Sequence, residues 1–303
     1  MTKVDDSRLE PEQLRAVQGA ARRSLDRVSA WGVLPTPIGD ILDGAKIRIA
    51  PASAFDSRRI MEYLIGQAGR TAVVLKSAIS KVFGIYDAYE HLIHIDHTVN
   101  QSKQNFLKLH EAGHHELPAH RKIFRIFQEC EKTLEPEIAD LFEREANNFA
   151  RYVLFQDNGF RNMAADHELQ IKTPIKLATK FGASIYASCR EYARTHHRAC
   201  AVYVLEPITY CARSGARAEV RRIEVSRSFA QQFGRPAETV ITLHHSLGRV
   251  LPMGRRMTKP TTISITDRNG QAHECVAEAF DTTFNVLILL YPIKALTGKT
   301  FIL

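Results

Sequence analysis

The sequence predicts an α+β protein that is mainly helical over its first two thirds and mainly β over its last third. Up to about residue 196, apolar residues recur at three- and four-residue steps, which gives a helix one apolar face. From Ala199 onward, short runs of alternating or β-branched residues are separated by glycine, proline and Asn-Gly turns, as in antiparallel strands. At 303 residues, the chain is long enough for two or three domains that each bury a core.

The first hundred residues predict helices around a small sheet. Residues 8–30 have a helical apolar face, and prolines at 35 and 37 then mark a connection. Glycines divide the next helical stretch into two short helices. The predicted elements are a helix at 8–30, a strand at 46–49, two helices within 57–82, and strands at 82–87 and 91–96.

From residue 100 to residue 197 the pattern is helical. One helix begins near Gln101, where Asn100 or Ser102 can cap it, and ends at Pro118. A further amphipathic segment is predicted at 119–135, another helix from Leu134 to about 154, and a polar link at 160–172. Helices at 175–181 and 184–196, with a turn at Gly182, have the pattern of a helix-turn-helix pair.

The last third predicts strands and one short helix, at 228–233. Arg268-Asn269-Gly270-Gln271 is a strong signal for a hairpin turn between two of these strands. The predicted strands are 201–205, 218–225, 239–243, 261–266, 275–279 and 286–291.

The motif that indicates chemistry is His110-Glu111-Ala112-Gly113-His114, on the helix that begins near Gln101. Histidines at i and i+4 project from one face of a helix, so both imidazoles can bind a single ion. Zinc accepts neutral imidazole and carboxylate ligands in a tetrahedron, and a catalytic site keeps one position for water. Glu111, beside the first histidine, can accept a proton from that water, which is the chemistry of hydrolysis.

A third ligand is needed, and the sequence offers two. Glu143 and Asn147 are i and i+4 on the following long helix, so one can bind the metal while the other steadies a ligand. His120, ten residues after His110, has the spacing of metzincins, but Leu117 occupies the position where those proteins have a turn-forming glycine. Glu143 is therefore favoured; a surface histidine pair without metal is the remaining alternative.

Together, His-Glu-Ala-Gly-His at 110–114 and Glu-x-x-Ala-Asn-x-Phe-Ala at 143–150 resemble the motifs of the ImmA/IrrE family of metallopeptidases. The resemblance implies a zincin-like peptidase domain in which His110, His114 and Glu143 hold zinc, with manganese as an alternative. It also implies that Glu111 is the catalytic base and that Asn147 orients the site.

Several expectations follow for the surroundings of this site. The strand at 91–96 is predicted to pair with extended substrate backbone at the rim of the cleft. Tyr86 and Tyr89 are either oxyanion donors or packing residues. His115 is expected to point away from the metal, and Glu145 to be a solvated helix residue. The family pattern continues to Leu-Met-Pro, where this chain has residues 154–156, Leu-Phe-Gln.

The resemblance also predicts a longer, IrrE-type architecture. Residues 1–158 would form the peptidase domain, 159–197 a helix-turn-helix-like unit, and 198–303 a GAF-like sensor or interaction domain. The second helix of the pair either docks on DNA or packs within the protein. Packing is favoured because Glu191, with two tyrosines that are predicted to be buried, makes a poor set of base-reading residues.

Composition limits the class of protein. The net charge is +8, and residues 197–303 carry 14 basic against 8 acidic side chains, which suits either an acidic partner or a merely basic surface. The five cysteines are odd in number and never spaced as Cys-x-x-Cys, so they are predicted to be reduced thiols in a cytoplasmic protein. Neither an 18-residue apolar run nor a signal peptide is seen, which predicts no membrane segment.

The function that the resemblance implies is that of a cytoplasmic zinc endopeptidase. Its substrate would be a helix-turn-helix transcriptional repressor, cleaved in a stress response or during induction of a mobile element. The alternative is a regulator that binds a repressor or DNA without cutting it.

Overall fold

The structure, a computed structural model, describes residues 8–51, 84–87, 91–121, 136–211 and 215–294. Within these ranges the α+β class is confirmed. The chain forms two compact units: an N-terminal unit of Asp5–Gly159 with Lys180–Ala183, and a C-terminal unit of Phe160–Thr179 with Ser184–Leu303. The predicted division into three domains stays a prediction. The helices predicted within 57–82, most of the segment predicted at 119–135, and Tyr89 lie outside the described residues.

The described elements of the N-terminal unit are four helices and a three-stranded sheet. The elements from residue 159 onward are helices and the strands of a larger sheet. The first set is α1 Pro11–Arg27, α2 Ile38–Gly44, β1 Arg48–Ile49, β2 Gly84–Asp87, β3 Leu92–Ile95, α3 Gln101–Glu116 and α4 Pro136–Leu154. The second is α5 Gly159–Ala165, α6 Lys172–Phe181, α7 Ile185–Thr195, β4 Ala201–Leu205, β5 Thr209–Cys211, β6 Gly215–Val225, α8 Arg227–Phe233, β7 Val240–Thr242, a 3-10 helix Ser246–Val250, β8 Thr261–Thr266, β9 Ala272–Asp281 and β10 Val286–Pro292.

The small sheet has the order β1-β3-β2, with β3 parallel to β1 and antiparallel to β2. Ile93 and Ile95 of β3 are fully buried, as expected for a central strand. The prediction that residues 91–96 form the rim strand is therefore wrong, because both edges of β3 are already paired within the described sheet. Strand β2 lies at an edge of the sheet that the described residues form.

Helix α4 forms the centre of the N-terminal unit, because it packs against both α1 and α3. Its apolar face is completely buried at Phe149, Ala150 and Val153, and Leu109 of α3 and Val17 of α1 are also completely buried. The recurring apolar positions of the sequence therefore serve one purpose: they fix α4 against the helix that carries the His-Glu-Ala-Gly-His motif.

The end of α4 is held by side chains rather than by the proline of the family pattern. The side-chain amide of Gln156 accepts a hydrogen bond from the backbone N–H of Gly32 (2.7 Å) and donates one to the carbonyl of Val33 (2.8 Å). The hydroxyl of Thr36 donates to the carbonyl of Leu154 (2.8 Å), one of the carbonyls that a helix end leaves without an intrahelical partner. These bonds tie the helix end to the loop between α1 and α2.

The second sheet is antiparallel, with the order β5-β6-β4-β10-β9-β8 and β7 paired to β6. All six predicted strands are present, and the predicted turn between β8 and β9 contains Gly270 at φ +82°. Strand β5 and the 3-10 helix were not predicted. The polar link predicted at 160–172 is wrong over its first part, because Phe160 and Ala164 give α5 a buried face.

The helix-turn-helix-like pair is α6 and α7, and α7 packs against β4 and β6. Ser184 caps α7, since its hydroxyl accepts the N–H of Ala187. Arg190 and Arg194 both donate to the carboxylate of Glu224 on β6, at 2.7 and 2.8 Å. Every residue of α7 is buried or half-buried, so the helix has no open polar face of the kind that a DNA-reading helix presents.

Candidate metal centre

The two histidines of the motif and Glu143 meet at the contact between α3 and α4. Asn100 caps α3 by accepting the backbone N–H of Lys103, which fixes the first turn of the helix that carries His110 and His114. Both imidazoles are buried on the face that packs against α4. Glu143 lies two turns into α4, and 45% of its side chain is exposed, so one side of the group is open to solvent.

The nitrogens of the two histidines and the carboxylate oxygens of Glu143 lie at or near the spacing of ligands around a tetrahedral ion. His110 Nε2 lies 3.3 Å from His114 Nε2 and 3.3 Å from a carboxylate oxygen of Glu143, and His114 Nε2 lies 3.7 Å from the other oxygen. Zinc bonds of about 2.0–2.1 Å in a tetrahedron put neighbouring ligand atoms roughly 3.3–3.4 Å apart. Among the described residues, these three form the group able to hold a metal ion. The donor set of two imidazoles and one carboxylate fits a catalytic zinc site, with one coordination position left over.

Charge at the centre is balanced between His110 and Glu143. Burial lowers the pKa of His110, but the hydrogen bond and the charge of Glu143 outweigh it and raise that pKa to about 9. Burial raises the pKa of Glu143, and the His110 contact lowers it to about 2. The pKa of His114 is held well below its usual range by burial and by the neighbouring His110 charge. Glu143 is therefore ionised, as a carboxylate ligand must be.

Glu111 lies beside this group without belonging to it. Burial raises the pKa of its carboxyl group to about 7; the charge of His110 opposes this rise and that of Glu143 adds to it. The backbone N–H of Tyr86, on the edge strand β2, donates a hydrogen bond to the same carboxylate. A carboxyl group with a pKa near 7 can both take and return a proton at neutral pH.

Asn147 lies within hydrogen-bond distance of His110. Its side-chain oxygen lies 3.1 Å from Nδ1 of His110, so it accepts the Nδ1–H and leaves Nε2 free for a metal. The structure thus brings together the five residues that the sequence assigns to the site, although the role of each stays a prediction.

His120 and Glu145 have positions that the sequence did not indicate. His120 is fully buried and contacts the second ligand, with Nδ1 of His120 3.1 Å from Nδ1 of His114. Its Nε2 lies 2.6 Å from a carboxylate oxygen of Glu145. His120 therefore contacts the candidate ligand His114 and is not itself the third member of the metal-binding group. The prediction that Glu145 is a solvated helix residue is wrong, because its side chain is only 14% exposed and binds His120.

His115 points away from the metal group, as its position on the helix predicts. Burial lowers the pKa of His115 to about 4, and its Nδ1 shares a hydrogen bond with the hydroxyl of Tyr86 at 2.5 Å. The ring of His91 packs edge-on against it. The Tyr86 hydroxyl is thus occupied by His115, which favours a structural role over oxyanion binding.

Gly113, at the centre of the motif, sets the distance between α3 and α4. A Cβ atom here would lie 3.2 Å from Cα of Ala146 and 3.2 Å from the ring of Phe149. We expect Gly113→Ala to destabilise the protein by about 1–3 kcal/mol and to weaken zinc binding, because the helices must separate to admit the methyl group. Urea unfolding of the metal-free protein and zinc titration measure the two effects.

Gly39→Ala is the matched control for that substitution. Gly39 lies within helix α2, and nothing lies within 4 Å of the Cβ it would gain. Alanine favours a helix by up to about 1 kcal/mol over glycine, so this variant should be as stable as the parent or more stable. Equal urea midpoints for Gly113→Ala and the parent would contradict the close-packing role of Gly113.

Comparison with known proteins identifies the region that holds this centre. Residues 74–191 match the model of a peptidase family described as the IrrE N-terminal-like domain. No curated protein matches the chain. Among solved structures, a Mycobacterium tuberculosis transcriptional regulator is similar at 12% identity and a TM-score of 0.41, over 90% of this chain and 80% of that one. The described helices include none long and apolar enough to cross a membrane. The chain therefore carries an IrrE N-terminal-like domain, which confirms the ImmA/IrrE resemblance of its two motifs.

Proposed function

We propose that the chain is a zinc-dependent endopeptidase. The observation that carries the proposal is the convergence of His110, His114 and Glu143, at tetrahedral ligand spacing, next to a buried carboxyl group with a pKa near 7. A purely structural zinc site closes all four positions with protein ligands and needs no such neighbour. The IrrE N-terminal-like domain, a peptidase family, supports the same function.

Zinc, when bound, would polarise the substrate carbonyl and make a water molecule acidic enough to react at neutral pH. Glu111 accepts the proton of the attacking water and delivers it to the amine of the leaving peptide. The hydrogen bond from the Tyr86 N–H holds the Glu111 carboxylate in position for both transfers. Strand β2, at the edge of the described sheet, offers backbone groups with which an extended peptide can pair.

The proposed substrate is a helix-turn-helix transcriptional repressor, and the proposed setting is a stress response or the induction of a mobile element in the cytoplasm. The resemblance to ImmA/IrrE proteins supports this substrate and this setting. Cys189, Cys200 and Cys275 support a reducing compartment such as the cytoplasm, because they are buried free thiols. Manganese is the alternative metal.

The non-proteolytic alternative receives less support. DNA binding through α7 would need exposed base-reading side chains, but its arginines Arg190 and Arg194 are paired with Glu224. A protein that only sequesters a repressor would need no proton acceptor at position 111. It would also catalyse no metal-dependent cleavage.

The test is a cleavage assay that requires no knowledge of the substrate. A library of peptides from a bacterial proteome, spiked with a panel of purified helix-turn-helix repressors, is incubated with the zinc-loaded protein, and new termini are read by mass spectrometry. We expect new termini that disappear when a chelator is added and return when zinc is restored. Absence of zinc-dependent termini in both the library and the panel would contradict the peptidase function.

A further inference from the structure

The second metal ligand has an unusual partner. Histidine ligands commonly donate their remaining N–H directly to a carboxylate or a backbone carbonyl. Here Nδ1 of His114 faces another imidazole, that of His120, at 3.1 Å, and the carboxylate of Glu145 lies one step further, 2.6 Å from Nε2 of His120. We refer to these two residues as the His120–Glu145 pair.

The direction of both hydrogen bonds is fixed by what each nitrogen faces. Nε2 of His114 points at His110 and Glu143, so it must be the unprotonated nitrogen when it binds a metal. The proton of a neutral His114 then lies on Nδ1 and is donated to Nδ1 of His120. His120, accepting at Nδ1, carries its own proton on Nε2 and donates it to the Glu145 carboxylate.

The position of His120 is determined by burial and stacking. Its side chain has no exposed surface, and its ring stacks on Phe142 with the centroids 3.9 Å apart and an angle of 17° between the planes. Phe142 and Glu145 belong to α4, which also supplies Glu143. The helix that provides the third ligand thus also supplies the groups that orient the second.

We propose that His120 and Glu145 are positioning residues that hold His114 in its metal-binding tautomer and orientation through a hydrogen-bonded chain ending on a carboxylate. This inference rests on the proposed metal site. It distinguishes the two histidines, because the Nδ1–H of His110 is accepted by the neutral amide of Asn147, whereas the chain from Nδ1 of His114 ends on a carboxylate.

The test measures zinc affinity of the full chain, without substrate. His120→Phe keeps a ring that can stack on Phe142 but removes the acceptor for His114. We expect it to weaken zinc binding by about 10–100-fold in competition with a chelator, the usual cost of losing the group behind a ligand. The tetrahedral absorption bands of the cobalt-loaded protein should also shift, because the orientation of a ligand has changed. His115→Phe replaces a buried histidine that packs against His91 and Tyr86 and is outside the metal-binding group, so it should leave zinc affinity unchanged.

A second variant keeps the test decisive if His120→Phe does not fold. Glu145→Gln preserves the size of the side chain and its acceptor oxygen but removes the charge, and it should weaken zinc binding by roughly tenfold. Unchanged zinc affinity and unchanged cobalt bands in the folded variants would overturn the proposal. Because no substrate is used, that result would leave the peptidase function standing, and a chain that cleaved nothing could still show the effect on zinc.

Discussion

Glu111→Gln is expected to lower the rate of zinc-dependent cleavage by about 10²–10⁴-fold, the usual contribution of a positioned proton-transfer group. Zinc content should not change, because Glu111 is not one of the three residues whose donor atoms converge. The amide keeps the shape of the carboxylate but cannot accept the proton of the attacking water. Cleavage of a target found in the terminomic assay, followed at saturating zinc, measures the effect, and metal analysis of the same sample checks that zinc is retained.

The same substitution has a predictable effect on stability. The Glu111 pKa is about 7 in the folded protein and its ordinary value is 4.5, so burying the charged form costs free energy that grows as pH rises from 4.5 to 7 and is constant above. Glutamine removes that cost, so the metal-free variant should melt at a higher temperature than the parent at pH 8. The two should differ less at pH 4.

Glu116→Gln is the control for both measurements. It makes the same chemical change on the same helix, but Glu116 pairs with Arg27 near the surface, at 2.6 Å. Arg27 is 37% exposed, so solvent weakens the pair, and Glu116 is outside the metal group, so cleavage should continue at the parent rate. If Glu111→Gln cleaved as fast as Glu116→Gln, Glu111 would not be the proton acceptor.

The ligands of the site could be predicted because their relation is local. His110 and His114 are one turn apart on a single helix, and Glu143 and Asn147 have the same spacing on another, so each helix presents its pair on one face whatever the tertiary structure. The residues alone favoured Glu143 over His120, and the resemblance to a family supported that choice, but nothing in the helical period says that α3 packs against α4. Gly113 was a signal in the sequence for that packing. Glycine destabilises a helix interior relative to alanine, and a close contact with another helix can explain why glycine is found there.

The surroundings of the site could not be predicted because they depend on tertiary contacts. His120 has the spacing of a ligand in the sequence, yet the packing of Phe142 against its ring turns it toward Glu145. Likewise, the alternation of residues 91–96 predicts a strand but not its neighbours. The sequence therefore could not show that this strand, β3, lies between β1 and β2. Periodicity in the sequence identifies the apolar face of a helix or strand, but only the fold shows which element that face packs against.

Glu143→Gln is expected to lower zinc affinity by more than about 100-fold, since losing a ligand should cost more than the 10–100-fold loss of a group behind one. Among the described residues, no other carboxylate joins His110 and His114 in the metal-binding group. Chelator competition on the metal-free protein measures the loss. Asp140→Asn is the matched control: it neutralises an exposed carboxylate one turn earlier on the same helix, paired with Arg144, and should bind zinc as the parent does.

The pKa of His110 separates loss of a ligand from loss of charge. Glu143 raises that pKa to about 9, so at pH 7 the parent must release the His110 proton before zinc can bind. Without the carboxylate, burial is left to lower the pKa, and His110 becomes easier to deprotonate. If Glu143 acted only through the pKa of His110, Glu143→Gln would therefore bind zinc more tightly and release fewer protons. Weaker binding together with reduced proton release, measured by calorimetry in two buffers, is the result expected when Glu143 interacts with the metal itself.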